Sequence, residues 1–169
     1  EATAQALFGQ SAQAAQQLPQ ARGLLVATST APAFMNALYD ALAARTGLAG
    51  VRVNYGPALP DPGRESVNIL GLDGEQNWAG LGQLAKEEVY TVQVLILVIR
   101  EGQQTQPAVE RAYQLLAEIE NELRESSTAP TMDNTVRVAA VETVNLEVGA
   151  SDTTRSALLT IGVRVQARI

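Results

Sequence analysis

The chain has 169 residues, 18 acidic against 12 basic, with no cysteine and no histidine. Those counts exclude a disulfide, a Cys or His zinc site, a thiolate nucleophile and any triad built on histidine. A net charge of −6 with one lysine, Lys86, leaves no basic stripe for phosphates, and a hydrophobic content of 46% is that of a folding globular chain able to bury roughly 70% of its surface.

The chain is expected to comprise an N-terminal arm over 1–26 and one α+β domain over 27–169. Residues 1–25 hold seven Ala and six Gln, few charges and weakly spaced apolar residues at Leu7, Phe8 and Leu18. A mobile arm, or one that orders on a neighbour, fits that composition. The longest unbroken apolar run, Val94 to Ile99, is far short of the roughly 20 residues that cross a bilayer, and the first residues lack a basic and apolar leader pattern. No membrane partner is expected, and a cytoplasmic origin is.

The first helix is predicted to start at Thr30-Ala-Pro32, a capping hydroxyl before a first-turn proline, and to end at Thr46-Gly47 as a glycine cap. Phe34, Leu38 and Leu42 repeat every four residues and make its core face. Val51–Tyr55 and Glu65–Ile69 alternate with period two and read as short strands around a proline-stiffened link containing Pro57, Pro60 and Asp61. Gly71-Leu-Asp-Gly74 reads as a turn, and the following segment to Ala85 as a loop carrying the sole tryptophan, Trp78, with Leu81 and Leu84. An aromatic residue in a polar loop either packs over its own sheet or anchors an interface.

Glu87 to Arg100 is the strongest strand signal, and at about 3.3 Å per residue it could span roughly 46 Å, enough to outreach its own core. Tyr90 in this strand is a candidate interface residue. A second helix is predicted from Gln104-Thr-Gln-Pro107 to about Glu125, with Val109, Ala112, Tyr113, Leu116, Ile119 and Leu123 on its apolar face. Glu118, Glu120, Glu122 and Glu125 read as its solvated face. After a loop over 126–134, two strands follow, Thr135 to Val148 and Arg155 to Ile169.

The expected fold is therefore α+β, in the order α-β-β-β-α-β-β. A mainly antiparallel sheet of about five strands would carry both helices on one face and leave the other to solvent or a neighbour. A long apolar edge aggregates unless something covers it, so assembly is a physical expectation.

Motifs for chemistry are weak. Gly80-Leu-Gly82-Gln-Leu-Ala85 spells a dinucleotide fingerprint, but a strand follows it where the chemistry requires a helix N-terminus. No phosphate-binding loop surrounds Lys86. Asp61, Glu65, Asp73 and Glu75 could in principle serve a carboxylate-dependent hydrolase. Asp73-Gly-Glu75 supplies too few oxygens for a calcium loop. No catalytic, cofactor or metal residue is assigned.

Five stretches carry a family resemblance: Phe34-Met-Asn-Ala-Leu38-Tyr-Asp-Ala-Leu42, Val51-Arg-Val53-Asn-Tyr55-Gly56-Pro57, the Trp78 segment leading into Glu87-Glu-Val-Tyr-Thr-Val-Gln-Val, the helix from Ala108 to Glu120, and the strand from Ala157 to Arg168. Over roughly 33–169 this pattern resembles the tail terminator (tail completion) proteins of tailed bacteriophages and phage-like gene transfer particles. The resemblance implies a non-enzymatic virion protein, assembled in the bacterial host cytoplasm. It implies a ring, usually a hexamer, that caps the head-proximal end of the tail tube, stops its growth and meets the head connector, with DNA passing through the lumen. Its implied partners are further copies of itself, the tail tube protein and the connector or stopper protein. Trp78, Leu81, Leu84, Pro57, Pro60, Asp61 and Tyr90 are the candidate interface residues. The alternatives are a head-closure or stopper ring of the same neck, and the small hydrolase.

Overall fold

A computed structural model describes residues 28–57, 63–78, 86–125 and 136–169. The expected arm, and with it Pro60, Asp61, Leu81 and Leu84, lies outside them. The elements run α1 (Ala31–Ala44), β1 (Arg52–Tyr55), β2 (Glu65–Trp78), β3 (Lys86–Glu101), α2 (Gln106–Glu125), β4 (Val136–Ala150) and β5 (Thr154–Arg168), in the expected order. The sheet has the strand order β1-β2-β3-β5-β4. No helix is long and apolar enough to cross a membrane among the described residues.

Three of the four strand junctions are antiparallel, but β1 pairs with β2 in parallel, Arg52 opposite Ser66 and Tyr55 opposite Ile69. Parallel neighbours ordinarily need a connection of a dozen or more residues. Here a four-residue strand leaves only about 13 Å to retrace, and Gly56 (φ 99°) and Gly63 (φ 74°) adopt left-handed conformations at the two ends of the return.

Alternation along β3 sets the core. Glu88, Tyr90, Val92, Val94, Ile96 and Val98 are buried on one face, and their neighbours on β5 run Ala157, Leu159, Ile161, Val163, Val165 and Ala167. The helices cover this face, α1 over β1 and β2, α2 over β3, β5 and β4. Phe34, Leu38 and Leu42 from α1 and Leu115, Ile119 and Leu123 from α2 complete the core. Each such side chain contributes roughly 1.5–3 kcal/mol by leaving water. Tyr113, expected on the buried stripe, is instead 46% exposed, because the stripe passes through Ala112, Leu115 and Leu116 beside it.

Several local readings change. Thr30 makes no side-chain cap on α1; its hydroxyl is committed to Glu88. Gly47 is not a left-handed cap but lies in a 3₁₀ turn, Thr46–Leu48, where a Cβ would come within 2.3 Å of the Glu118 carboxylate. That close approach serves an ion cluster: Arg45 meets Glu118 at 2.6 Å and Glu122 at 2.7 Å, with Glu125 at 3.5 Å. The acidic run of α2 is thus in good part a docking edge for Arg45, and only Glu120, paired with Arg124, keeps to the helix itself.

Gly71–Gly74 is not a turn. β2 continues through it to Trp78, paired with β3 at every rung from Leu72 to Trp78. A Cβ at Gly74 would lie 2.4 Å from that of Tyr90, so glycine serves close strand approach there. β2 carries one register shift, between Ile69 and Gly71, and β4 two, between Val136 and Val138 and between Val141 and Thr143, whereas β3 pairs with β5 without one. Gly71 and Thr143 reach the same rung through Gln93 and Gly162, so the shift in β2 and the second shift in β4 lie on one line across the sheet.

Candidate functional site

Beyond that line the β2–β3 hairpin leaves the cover of β1. Leu72 through Trp78 are all exposed, and among the described residues no strand pairs with their outer edge. At the end of the described hairpin Trp78 is 66% exposed and stands opposite Lys86, whose ammonium sits 5.3 Å from the centre of the indole ring. An exposed indole carrying a cation presents apolar area and charge together, a combination suited to an interface anchor. Trp78 is therefore a strand residue on the helix-bearing side, not a loop residue packed over the sheet.

The other candidates separate from it. Pro57 is exposed just after β1, at the level where β2 begins to project, with the length of the projecting strand between it and Trp78. Tyr90 is no surface residue: it is 1% exposed, edge-on to Phe34 at 6.2 Å, with its hydroxyl 3.1 Å from Thr30 Oγ1. Burial pushes that phenol up to about 12, against the opposing effect of the Thr30 hydrogen bond.

Beside Tyr90 lies a group that was not singled out in sequence. Glu88 is 4% exposed and accepts hydrogen bonds from Ser29 Oγ, from Thr30 N at 2.8 Å, from Thr30 Oγ1 at 2.8 Å and from Gln76 Nε2 at 3.1 Å. Burial alone would raise its carboxyl, but the four donors outweigh burial and hold it below the ordinary range. Gln76 Nε2 also donates to the Thr28 carbonyl at 2.7 Å. The cluster clamps the chain that enters α1 onto the projecting part of the hairpin, two rungs from Trp78.

The carboxylates weighed for acid–base work are dispersed. Glu65 is held between Arg100 and Arg111, the latter at 3.0 Å, and these partners keep its carboxyl low despite burial. Asp73 and Glu75 stand on the opposite, helix-free side of β2, exposed. Among the described residues no group of three or more acidic side chains could hold a metal ion.

The far edge of the sheet is β4. Val138, Val144 and Val148 are 51%, 45% and 59% exposed along it. A shallow groove runs across its helix-free side between Val138, Ala140 and Gln166, closed by the Arg164–Glu142 pair at 2.8 Å.

No family model matches the chain, and no curated protein matches it. Its fold is similar to that of a chain in the virion of a native gene transfer agent (GTA) particle, with a TM-score of 0.56 and 16% identity over 83% of this chain and 99% of that one. At that identity the likeness is one of fold.

Proposed function

We propose that the protein is a structural subunit of a phage-like particle, and within it a tail terminator: a ring, of six copies, that caps the head-proximal end of the tail tube and joins it to the head connector. The observation that carries this reading is the shared fold with a virion chain across nearly that chain's whole length. The extended β2–β3 hairpin with Trp78 exposed on it supports a surface for the tube or the connector. An excess of acidic residues suits a lumen that repels phosphate and lets DNA slide.

The test is to mix purified protein with tail tubes and, separately, with the portal and its adaptor. Electron microscopy and co-sedimentation then score which of them is bound. A terminator binds tube ends and arrests further polymerisation of tube protein. Binding to the portal adaptor first, with no effect on tubes, makes the protein a stopper ring. Binding to neither removes the neck assignment.

A further inference from the structure

We infer that copies of this chain join head to tail through their sheet edges, the β4 edge of one copy pairing antiparallel with the projecting part of β2, Leu72–Trp78, of the next. This deepens the ring reading above and rests on its assembly part.

Three observations carry it. First, among the described residues the sheet is open on both sides at the same height. Following the ladder across, Asp73 aligns with Thr91, Arg164 and Ala140, and Glu75 with Val89, Gln166 and Val138. The uncovered stretch of β2 therefore lies level with the first part of β4, whose own outer edge carries no described strand. Second, strand direction fits. All junctions from β2 through β3 and β5 to β4 are antiparallel, so β4 runs opposite to β2. Rotation about an axis running along the strands preserves that relation, and β4 meets the next copy's β2 as an antiparallel neighbour. Third, β1 would obstruct such a seam wherever it flanks β2, and a register shift on each edge strand stands at the border of that region: β1 ends opposite Ile69, one residue before the shift in β2, and β4 shifts between Val141 and Thr143 on the same rung, its other shift, between Val136 and Val138, lying at the far end of the seam.

The two edges are different surfaces, so the contact is heterologous, and a heterologous contact repeated by rotation closes a ring or runs on as a filament. A self-pairing of β4 with β4 would instead stop at a dimer and leave β2 open. The partner is thus a second copy of this chain.

The absence of native cysteine makes the test direct. Asp73→Cys combined with Ala140→Cys, and Glu75→Cys combined with Val138→Cys, place thiols on facing rungs of the seam, within the roughly 4.4–6.8 Å Cα separation that a disulfide spans. The crossed combinations read a slip of two residues, which keeps the same side-chain face. All four residues are exposed, and far-UV circular dichroism and melting verify that each variant folds like the parent. After mild oxidation of concentrated protein, denaturing electrophoresis without reductant is expected to show each matched double variant shifted into a ladder that ends at a closed ring. Each single variant is expected to remain a monomer. Cross-linking of Ala140→Cys alone would overturn the proposal in favour of β4 self-pairing. So would a ring by sedimentation in which no double variant cross-links, or a protein that stays monomeric throughout. A ladder obtained with protein that fails to cap tubes leaves the seam standing and removes only the terminator assignment.

Discussion

Replacing Glu88 by Gln tests whether the buried carboxylate fastens α1 to the sheet. The amide retains one acceptor oxygen, best placed toward the fixed Thr30 N–H and hydroxyl. Its NH₂ then faces Ser29 and Gln76, both of which donate to the native carboxylate. Hydrogen bonds to a charged group contribute about 1.5–3 kcal/mol against about 0.5–1.5 for neutral ones, so losing charge on one side and acceptance on the other costs about 2–3 kcal/mol in total. For a chain of this size that lowers Tm by about 4–12 °C. The sign with pH follows from the depressed carboxyl of the folded state. Its stabilisation is complete above the unfolded value and is lost as pH falls through the folded one. The gap between parent and Glu88→Gln, measured by urea unfolding, should therefore be widest near neutrality and close below about pH 4. Amide exchange at Thr30 should accelerate in the variant. A variant as stable as the parent at neutral pH, or a gap that persists unchanged into acid, would refute the clamp.

Gly74→Ala is expected to destabilise by about 1–3 kcal/mol, because the new methyl meets both the Cβ and the backbone of Tyr90; a urea midpoint equal to the parent's would return this segment to a tolerant turn. Arg45→Ala should cost about 1–2 kcal/mol by leaving Glu118 and Glu122 unpaired on one helix face, and added salt should narrow the difference in urea titrations, as screening weakens both the attraction lost and the repulsion exposed. Trp78→Ser should change stability by less than about 0.5 kcal/mol, since the ring is largely in water. The same change should weaken binding to tube ends at least about tenfold if the indole is an anchor, as read by co-sedimentation, and intact binding would clear Trp78 of that role.

Much of the fold was legible because several elements have redundant signals. In β3, β-branched density and strict alternation agree, and in α2 the proline start and the apolar stripe agree. The lower half of β2 was not legible: Gly71, Gly74, Gln76 and Asn77 have turn chemistry, and only pairing to β3 makes them a strand. Parallel pairing of β1 depends on where a short strand lands, which no local pattern states. Tyr90 could have been placed correctly, since period two puts it on the same face as Val92, Val94 and Ile96. The same count puts Glu88 there, and an acid in register with a core face is the signal that would have flagged the clamp. Arg45 is far from its glutamates in sequence, so its use of the acidic run is a product of tertiary packing. For the candidate site, the sequence left Trp78 between packing over its own sheet and anchoring an interface, and its exposure is a result of where β2 ends; the open edges and their common height were not legible, because bulges and register are settled between strands.

The centre of the sheet has a consequence for how the chain folds. β3 and β5 form its middle junction, with Glu101 opposite Thr154 and Glu87 opposite Arg168, so α2 and β4 must both be synthesised before the middle can close. The two hairpins, β2–β3 and β4–β5, close locally, whereas their union is a long-range step of the kind that slows β-rich chains to milliseconds or seconds. Until that step each hairpin exposes one long apolar strand, and at high local concentration those strands can find the wrong copy. Overexpression should accordingly be limited by the speed of this docking, and a tether that brings the two hairpins together sooner should raise soluble yield without altering the folded molecule.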